Sequence, residues 1–213
     1  MNKISVIIPV YNEERTIYHV IHDVMAIVDP DELIIVNDGS TDKTWEIIDG
    51  IKDYKNIVRI NHSYNMGKGK AIIDGLVWAT GDIIAICDAD QEYDLEDLNG
   101  LLLRIKVGNM NAIFGTRYPD NWMKITANKF LTWLSNLRTG RKLTDMETCF
   151  KVFRRDALED KLDSFGFEIE AEITKKLKGN VEEVPIRYIP RTKKDGKKIK
   201  WRDGFKTIWR IFK

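Results

Sequence analysis

The sequence predicts an α/β fold, a mostly parallel sheet flanked by helices, from two observations. Short continuous apolar runs alternate with helically spaced ones through the first half of the chain, and several of the apolar runs end abruptly in acidic or amide residues. Uninterrupted apolar strands belong to sheets covered on both faces, and strand–helix alternation makes such sheets parallel. The expected strands are Ile4–Val10, Glu32–Asp38, Ile57–Asn61, Asp82–Asp88 and Ala112–Thr116. Between them Ile17, Val20, Ile21, Val24 and Val28 keep helical spacing, as do Trp45, Ile48 and Ile51. A third helix is expected over Lys70–Thr80, closed by Gly81. The 213 residues fit one domain over 1–190, followed by a basic loop and amphipathic helix over 191–213.

A hydrophobic content of 43% with 31% charged residues excludes a disordered chain. The two cysteines, Cys87 and Cys149, have no CxxC spacing, which points to a reducing compartment rather than a disulfide framework. The chain opens directly on strand-like "KISVIIP" without a basic leader, and no apolar run approaches the roughly 18 residues of a spanning helix. The expected location is the cytoplasm. The net charge of +1 conceals an asymmetry: ten Lys/Arg face two Asp from Arg191 to Lys213, leaving 24 basic and 31 acidic residues before them. A basic tail on an acidic body calls for a polyanionic partner, either phosphate groups, a membrane surface or nucleic acid.

Ligands of parallel sheets gather beyond the carboxyl ends of the strands. Three expected strand ends carry chemistry there: "PVYNEE" from Pro9, "VNDGSTDKT" from Val36 and "CDADQEY" from Cys87. Asp38 or Glu13 can accept from a base N–H or a ribose hydroxyl, Gly39 permits a tight turn, and Ser40 or Thr41 can cap a helix. Asp88 and Asp90 close a buried strand, where side chains two apart share a face. Carboxylates placed there need a cation, a basic partner or solvent, and their hard oxygens suit Mg²⁺ or Mn²⁺ carried with phosphates. The other Asp-x-Asp, Asp29–Asp31, reads as a turn entering a strand. "NMGKGKA" lacks the first glycine and the Ser/Thr of a phosphate loop, with Tyr64 and Ala71 in those places. His19 and His22 read as helix surface residues.

The ordered set "PVYNEE … VNDGSTD … DADQEYD … FGTRY … DMETCFKVFRRD … GFEIEAEI" resembles family 2 glycosyltransferases of the GT-A type. It is similar to the dolichyl-phosphate mannose synthase and polyprenyl-phosphate sugar transferase group. The resemblance implies a Rossmann-like single domain and a hexosyltransferase using GDP-mannose or a UDP-sugar. It places Pro9, Tyr11, Glu13, Asp38, Asp88 and Ala89 at the nucleotide, although Asn37 stands where the family often has a first aspartate. It makes Asp90 a ligand of Mg²⁺ or Mn²⁺ and Glu92 the second. Arg117 is placed at the phosphate end of the site, and Arg191 with Lys198 (or Lys197, where the register is loose) on a closing basic loop. Asp145 and Glu147 match the acceptor-side acids, with two roles open: a base, or an orienter of a basic residue.

An inverting transfer is implied. A phosphate monoester acceptor is already anionic near neutral pH, with a second pKa of about 6, and needs positioning rather than a base; a hydroxyl acceptor needs one. Two stripes favour a lipid-linked phosphate at the cytoplasmic face of a membrane. Phe130, Trp133, Leu134 and Leu137 are bordered by Lys129, Arg138, Arg141 and Lys142. Phe205, Ile208, Trp209 and Phe212 are bordered by Arg202, Lys206, Arg210 and Lys213. Apolar aromatic faces ringed by basic residues suit interfacial helices. A glycan or protein hydroxyl is the alternative acceptor. A nucleic-acid-binding module is the remote one, since the strand-end acids would repel a phosphate backbone. Oligomeric state is left open.

Overall fold

The computed structural model describes residues 2–117, 122–159, 161–191 and 201–213. Seven strands form one sheet: β1 (Ile4–Val10), β2 (Glu32–Asn37), β3 (Ile57–Asn61), β4 (Ile83–Ile86), β5 (Ala112–Arg117), β6 (Lys151–Arg154) and β7 (Val181–Ile186). Their order is β3-β2-β1-β4-β6-β5-β7. All neighbouring pairs are parallel except those of β6, which runs antiparallel to β4 and β5. The helices are α1 (Ile17–Asp23), α2 (Thr44–Gly50), α3 (Lys68–Trp78), α4 (Leu95–Val107), α5 (Trp122–Thr139), α6 (Ile169–Lys176) and α7 (Trp201–Phe212). A π-helical turn, Val24–Val28, prolongs α1.

The strand cores are as dry as their composition requires. Every residue of β1 and β4 is buried, and Val6, Ile7, Leu33, Ile34, Ile83, Ile84, Ile113 and Phe114 lose essentially all solvent contact. β1 lies between β2 and β4, so the strand order reverses there and opens a crevice at the carboxyl ends of these three strands. The strand-end motifs therefore meet along one edge. Gly39, with φ +65°, sits so close to the Tyr64 backbone that a Cβ would stand 2.2 Å from its carbonyl carbon.

All five expected strands form. β2 and β4 stop earlier than their apolar runs suggested, at Asn37 and Ile86, so Asp88 and Asp90 lie in a turn rather than in extended backbone. Gln91, at φ +56°, completes that turn. Two strands escaped the apolar pattern. β6 is only four residues with a basic residue at each end, and β7 contains two glutamates and Pro185, which confine it to the sheet edge it occupies. Asp29 ends the π-helical turn at φ 46° and Asp31 accepts from Ile4 N–H at 2.7 Å, so Asp29–Asp31 is structural as expected. His19 is exposed, whereas His22 is half-buried and its Nδ1 lies 2.8 Å from the Tyr54 hydroxyl.

At the amino ends of the strands Glu32 gathers the Ser5 hydroxyl at 2.6 Å, Thr80 N–H at 2.8 Å and the Lys3 ammonium at 2.9 Å. Burial opposes its charge, but these donors outweigh it and hold the carboxyl down at about 2. A depressed carboxyl stabilises the fold fully above its unfolded value and loses that contribution as pH falls toward 2. Glu32→Gln is expected to lower stability by about 1–3 kcal/mol at pH 7. It should also flatten the acid limb below about pH 4.5; urea melts across that range test both effects.

Candidate active site

The loops after β1 and β2 are stitched together side chain to backbone. Asn12, at φ 51°, donates its N–H to Ser40 Oγ and accepts from Thr41 N–H at 2.8 Å, while Glu13 N–H reaches Thr44 Oγ1 at 2.8 Å. Pro9 is buried in β1 and Tyr11 half-buried beyond it. Thr16 Oγ1 donates to the Ala89 carbonyl at 2.7 Å, tying the start of α1 to the acidic turn. Pro9, Tyr11, Glu13, Asp88, Ala89 and Asp90 thus share one edge.

Asp38 is turned inward. It is 3% exposed, its Oδ1 accepts from Met66 N–H and its Oδ2 from Gly67 N–H, both at 2.8 Å. His62 Nδ1 lies 2.9 Å from the same Oδ1, and His62 Nε2 lies 2.9 Å from Asp74. Its carboxylate anchors the loop between β3 and α3; the sequence, placing it at the base, gave no sign of this. Asn37 is likewise committed, donating to Asn61 Oδ1 at 2.7 Å and accepting from the Ser40 hydroxyl.

The two aspartates of the turn differ. Asp88 faces Lys68, whose Nζ lies 2.9 Å from Oδ1, and that ammonium holds it below the usual carboxylate range although burial opposes this. Asp88 and Glu170 in turn keep Lys68 protonated against burial. Asp90 accepts from Glu92 N–H at 3.2 Å and, among the described residues, no Lys or Arg stands within ion-pair range of it. Burial and the Asp88 and Glu92 carboxylates push it up to about 7. A half-buried carboxylate crowded by like charge, with hard oxygens only, fits a divalent cation such as Mg²⁺ or Mn²⁺. Among the described residues no three His, Cys, Asp or Glu side chains form a ready cage. Mg²⁺ in particular keeps several waters and is completed by substrate phosphates, so a partial protein set suits it.

Glu92 has both oxygens engaged: the Tyr188 hydroxyl donates to Oε2 at 2.9 Å and Arg191 N–H to Oε1 at 2.6 Å. Arg191 reaches back to Glu13 Oε2 at 2.8 Å. The segment after β7 is thereby strapped across the crevice between the first and third motifs. Lys198 and Lys197 lie outside the described residues. A cavity of about 570 Å³ beside this strap is lined by Asp88, Glu92, Tyr93, Phe150, Tyr188 and residues of α1.

Arg117 ends β5 and is fixed on every side. Its Nε lies 2.6 Å from Asp145 Oδ2 and its Nη2 2.8 Å from Oδ1, a forked pair, while Nη1 donates to the Tyr93 hydroxyl at 3.1 Å. The guanidinium also lies over the Tyr188 ring, 5.1 Å from its centre. Asn128 of α5 adds a bond to Asp145 Oδ1 at 2.6 Å. Burial would raise Asp145, but Arg117 holds it below the ordinary range. Of the two roles open to Asp145, this geometry is that of an orienter. Glu147 has a buried Oε1 without a hydrogen-bond partner among the described residues, and burial with the nearby Glu170 pushes it up to about 7.

The sequence did not single out His62, Lys68, Tyr93, Glu170 or Tyr188. Lys68 carried one signal, a lysine between two glycines at a helix start, set aside because the spacing was wrong for a phosphate loop. Glu170 carried another, an acid on the buried side of α6.

Residues 5–162 match the family profile described as "Glycosyl transferase family 2". The chain is 30% identical to an undecaprenyl-phosphate 4-deoxy-4-formamido-L-arabinose transferase of Proteus mirabilis, over 75% of this chain and 51% of that protein. It is 29% identical to a dolichol-phosphate mannosyltransferase of Pyrococcus furiosus, over 99% of this chain and 63% of that one. It therefore spans about half to two-thirds of the length of these relatives. Glucosyl-3-phosphoglycerate synthase of Mycobacterium tuberculosis bound to UDP superposes with a TM-score of 0.75 at 19% identity, covering 99% of this chain and 79% of that one. The same enzyme with Mn²⁺ and UDP-glucose gives 0.67 at 22% identity, over 90% and 72%. The fold is that of these GT-A neighbours, and with a profile match over most of its length this chain belongs to glycosyl transferase family 2.

Proposed function

We propose that this protein transfers a sugar, with inversion, from a nucleotide-sugar donor to a polyprenyl- or dolichyl-type lipid phosphate at a membrane surface. The observation that carries this reading is the forked Arg117–Asp145 pair next to the acidic turn. It presents a fixed guanidinium for phosphate oxygens and leaves Asp145 no free oxygen for proton transfer. A phosphate acceptor, largely dianionic above its second pKa of about 6, requires only that. Relatives named for undecaprenyl, dolichyl and dolichol phosphates, and a structural neighbour holding Mn²⁺ and UDP, support the acceptor and donor classes.

Asp90, with Glu92 behind it, would hold Mg²⁺ or Mn²⁺; when bound, such an ion stabilises negative charge on the departing diphosphate. Tyr11 and Glu13, beside the turn, are proposed to seat the nucleoside. Arg191, whose guanidinium pairs with Glu13 and whose N–H donates to Glu92, would compensate diphosphate charge once those carboxylates engage ligand. Asp145 and Asn128 orient Arg117, and Tyr93 and Tyr188 limit its swing.

The membrane part of the reading rests on α5 and α7, which pack on each other and leave two aromatic faces outward. Phe130, Trp133 and Leu137 of α5 and Phe205, Trp209 and Phe212 of α7 are exposed, with Lys129, Arg138, Lys206 and Lys213 exposed near them. Phe130 and Trp133 stack at 6.1 Å, and Lys213 lies over the Trp209 ring. The structure corrects three members of the expected stripes and borders. Arg210 is buried and paired with Glu172 and Asp163, because a guanidinium buried in that interface without a carboxylate partner would be costly. Arg141 turns inward to the Thr174 and Leu177 carbonyls at the end of α6. Leu134 packs half-buried toward Ile211 instead of facing out. Among the described residues no helix is long and apolar enough to cross a membrane.

A screen of GDP- and UDP-sugars with Mn²⁺ and polyprenyl phosphate should carry label into the organic phase; label confined to an aqueous glycan would refute the lipid acceptor. Arg117→Ala is expected to lower kcat/KM by about 10²–10³-fold, the loss typical of one fixed charge-stabilising donor. Asp145→Asn should lower kcat while leaving the pH–rate profile unchanged in shape, whereas loss of an acid limb would identify a base. Replacing Lys206 and Lys213 together by Ala should weaken binding to anionic vesicles by about 30-fold at low salt, at roughly 1 kcal/mol per charge; vesicle sedimentation measures it.

A further inference from the structure

The segment "NMGKGKA" is built to deliver one lysine. Lys68 Nζ stands 2.9 Å from Asp88 Oδ1 and 3.2 Å from Oδ2, so a single ammonium faces both oxygens of that carboxylate. On its other side lies Glu170 Oε1 at 3.0 Å, and Glu170 Oε2 is 2.6 Å from Lys151 Nζ. Lys151 is 0% exposed and also donates to the Met146 and Thr148 carbonyls. Asp88, Lys68, Glu170 and Lys151 thus form a row of alternating charge from the acidic turn through α3 and α6 to β6. Such buried rows contribute little net stability, while removal of one member leaves its neighbours uncompensated.

Two glycines give the row its geometry. A Cβ on Gly67, which has φ +98°, would stand 2.2 Å from the Phe165 carbonyl oxygen, and one on Gly69 would stand 2.1 Å from that of Ser164. The turn bearing Lys68 is pressed onto the segment leading into α6, with Lys70 N–H donating to Phe165 O at 3.2 Å. From the other side Asp38 grips Met66 and Gly67. The backbone around Lys68 is therefore clamped twice.

We propose that Lys68, anchored by Glu170, is a positioning residue that occupies the Asp88 carboxylate and reserves Asp90 as the acid that meets the cation. This deepens the donor reading above and rests on it. An ammonium seated between both Asp88 oxygens excludes a divalent ion from them, whereas Asp90 faces no such competitor among the described residues. Without Lys68, Asp88 and Asp90 become a two-carboxylate trap that binds metal more tightly but mis-seats the metal–nucleotide.

The test titrates Mn²⁺ alone, and Mn²⁺ with UDP or GDP, into the full chain and its Lys68→Met and Lys68→Arg variants by calorimetry, with circular dichroism to report folding. Lys68→Met is expected to bind Mn²⁺ alone about tenfold more tightly and Mn²⁺–nucleotide about tenfold more weakly, the scale of losses around metal ligands. Lys68→Arg, which keeps a cation on Asp88, should stay within about threefold of the parent in both. A folded Lys68→Met with parental affinities for both would overturn the proposal. Should Lys68→Met not fold, Glu170→Gln decides: the same opposed shifts support the proposal and unchanged Mn²⁺ binding refutes it. Failure of the parent chain to bind either nucleotide with Mn²⁺ would instead sink the donor reading, leaving the Mn²⁺-alone comparison to judge Lys68.

Discussion

Carboxylates gathered at the carboxyl ends of dry parallel strands must be compensated, and the rest of the site follows from how that is done. Each acid of the crevice has a different neutraliser: Asp88 an ammonium, Asp145 a guanidinium, Glu13 the Arg191 guanidinium, and Asp38 two backbone amides with an imidazole. Asp90 is left with a backbone N–H and two acidic neighbours. Half-buried beside two acids and, among the described residues, without a Lys or Arg partner, Asp90 fits the proposed role of cation ligand.

The same requirement explains why distant segments converge. Lys68 comes from α3, Arg117 from β5, Glu170 from α6 and Arg191 from beyond β7, yet their ion pairs gather around the same acidic turn, with Arg117 acting on Asp88 and Arg191 on Asp90. Those contacts bind the second half of the chain to the first and make the α5–α7 layer more than a cover. Asn128 links α5 to Asp145, the partner of Arg117, and α7 meets α6 through Arg210 and Glu172. The layer that carries the outward aromatic faces of α5 and α7 is therefore joined by hydrogen bonds and ion pairs to the Asp145–Arg117 pair and to α6.

Much of this was written in local patterns. Five largely apolar runs gave five strands because β1, β2 and β4 are buried on both faces, where few polar residues interrupt the pattern. β6 and β7 were illegible for the converse reason: Lys151, Glu182, Glu183 and Pro185 read as surface, and only the tertiary structure supplies Glu170 for Lys151 and an edge for Pro185. The candidate acids were visible because acids at the end of apolar runs are anomalous, and Arg117 and Arg191 were reached through the family motifs; Lys68, which partners Asp88, was not, since a lysine at a helix start is ordinary. Asp38 illustrates the limit. Its type and place announced a ligand contact, but its hydrogen bonds to residues 62–67 depend on a loop 24 to 29 positions away.

By itself the sequence determined the strand–helix alternation, the edge at which chemistry collects, the acids that follow the fourth apolar run and the basic amphipathic end, because each is a property of neighbouring residues along the chain. Only the tertiary structure decided which acid is neutralised and which is left bare, that Asp145 serves Arg117, and that Arg210 is buried while Trp209 is not. Charge pairing acts over a few ångströms between residues far apart in sequence, and its outcome is fixed by packing that no local pattern records.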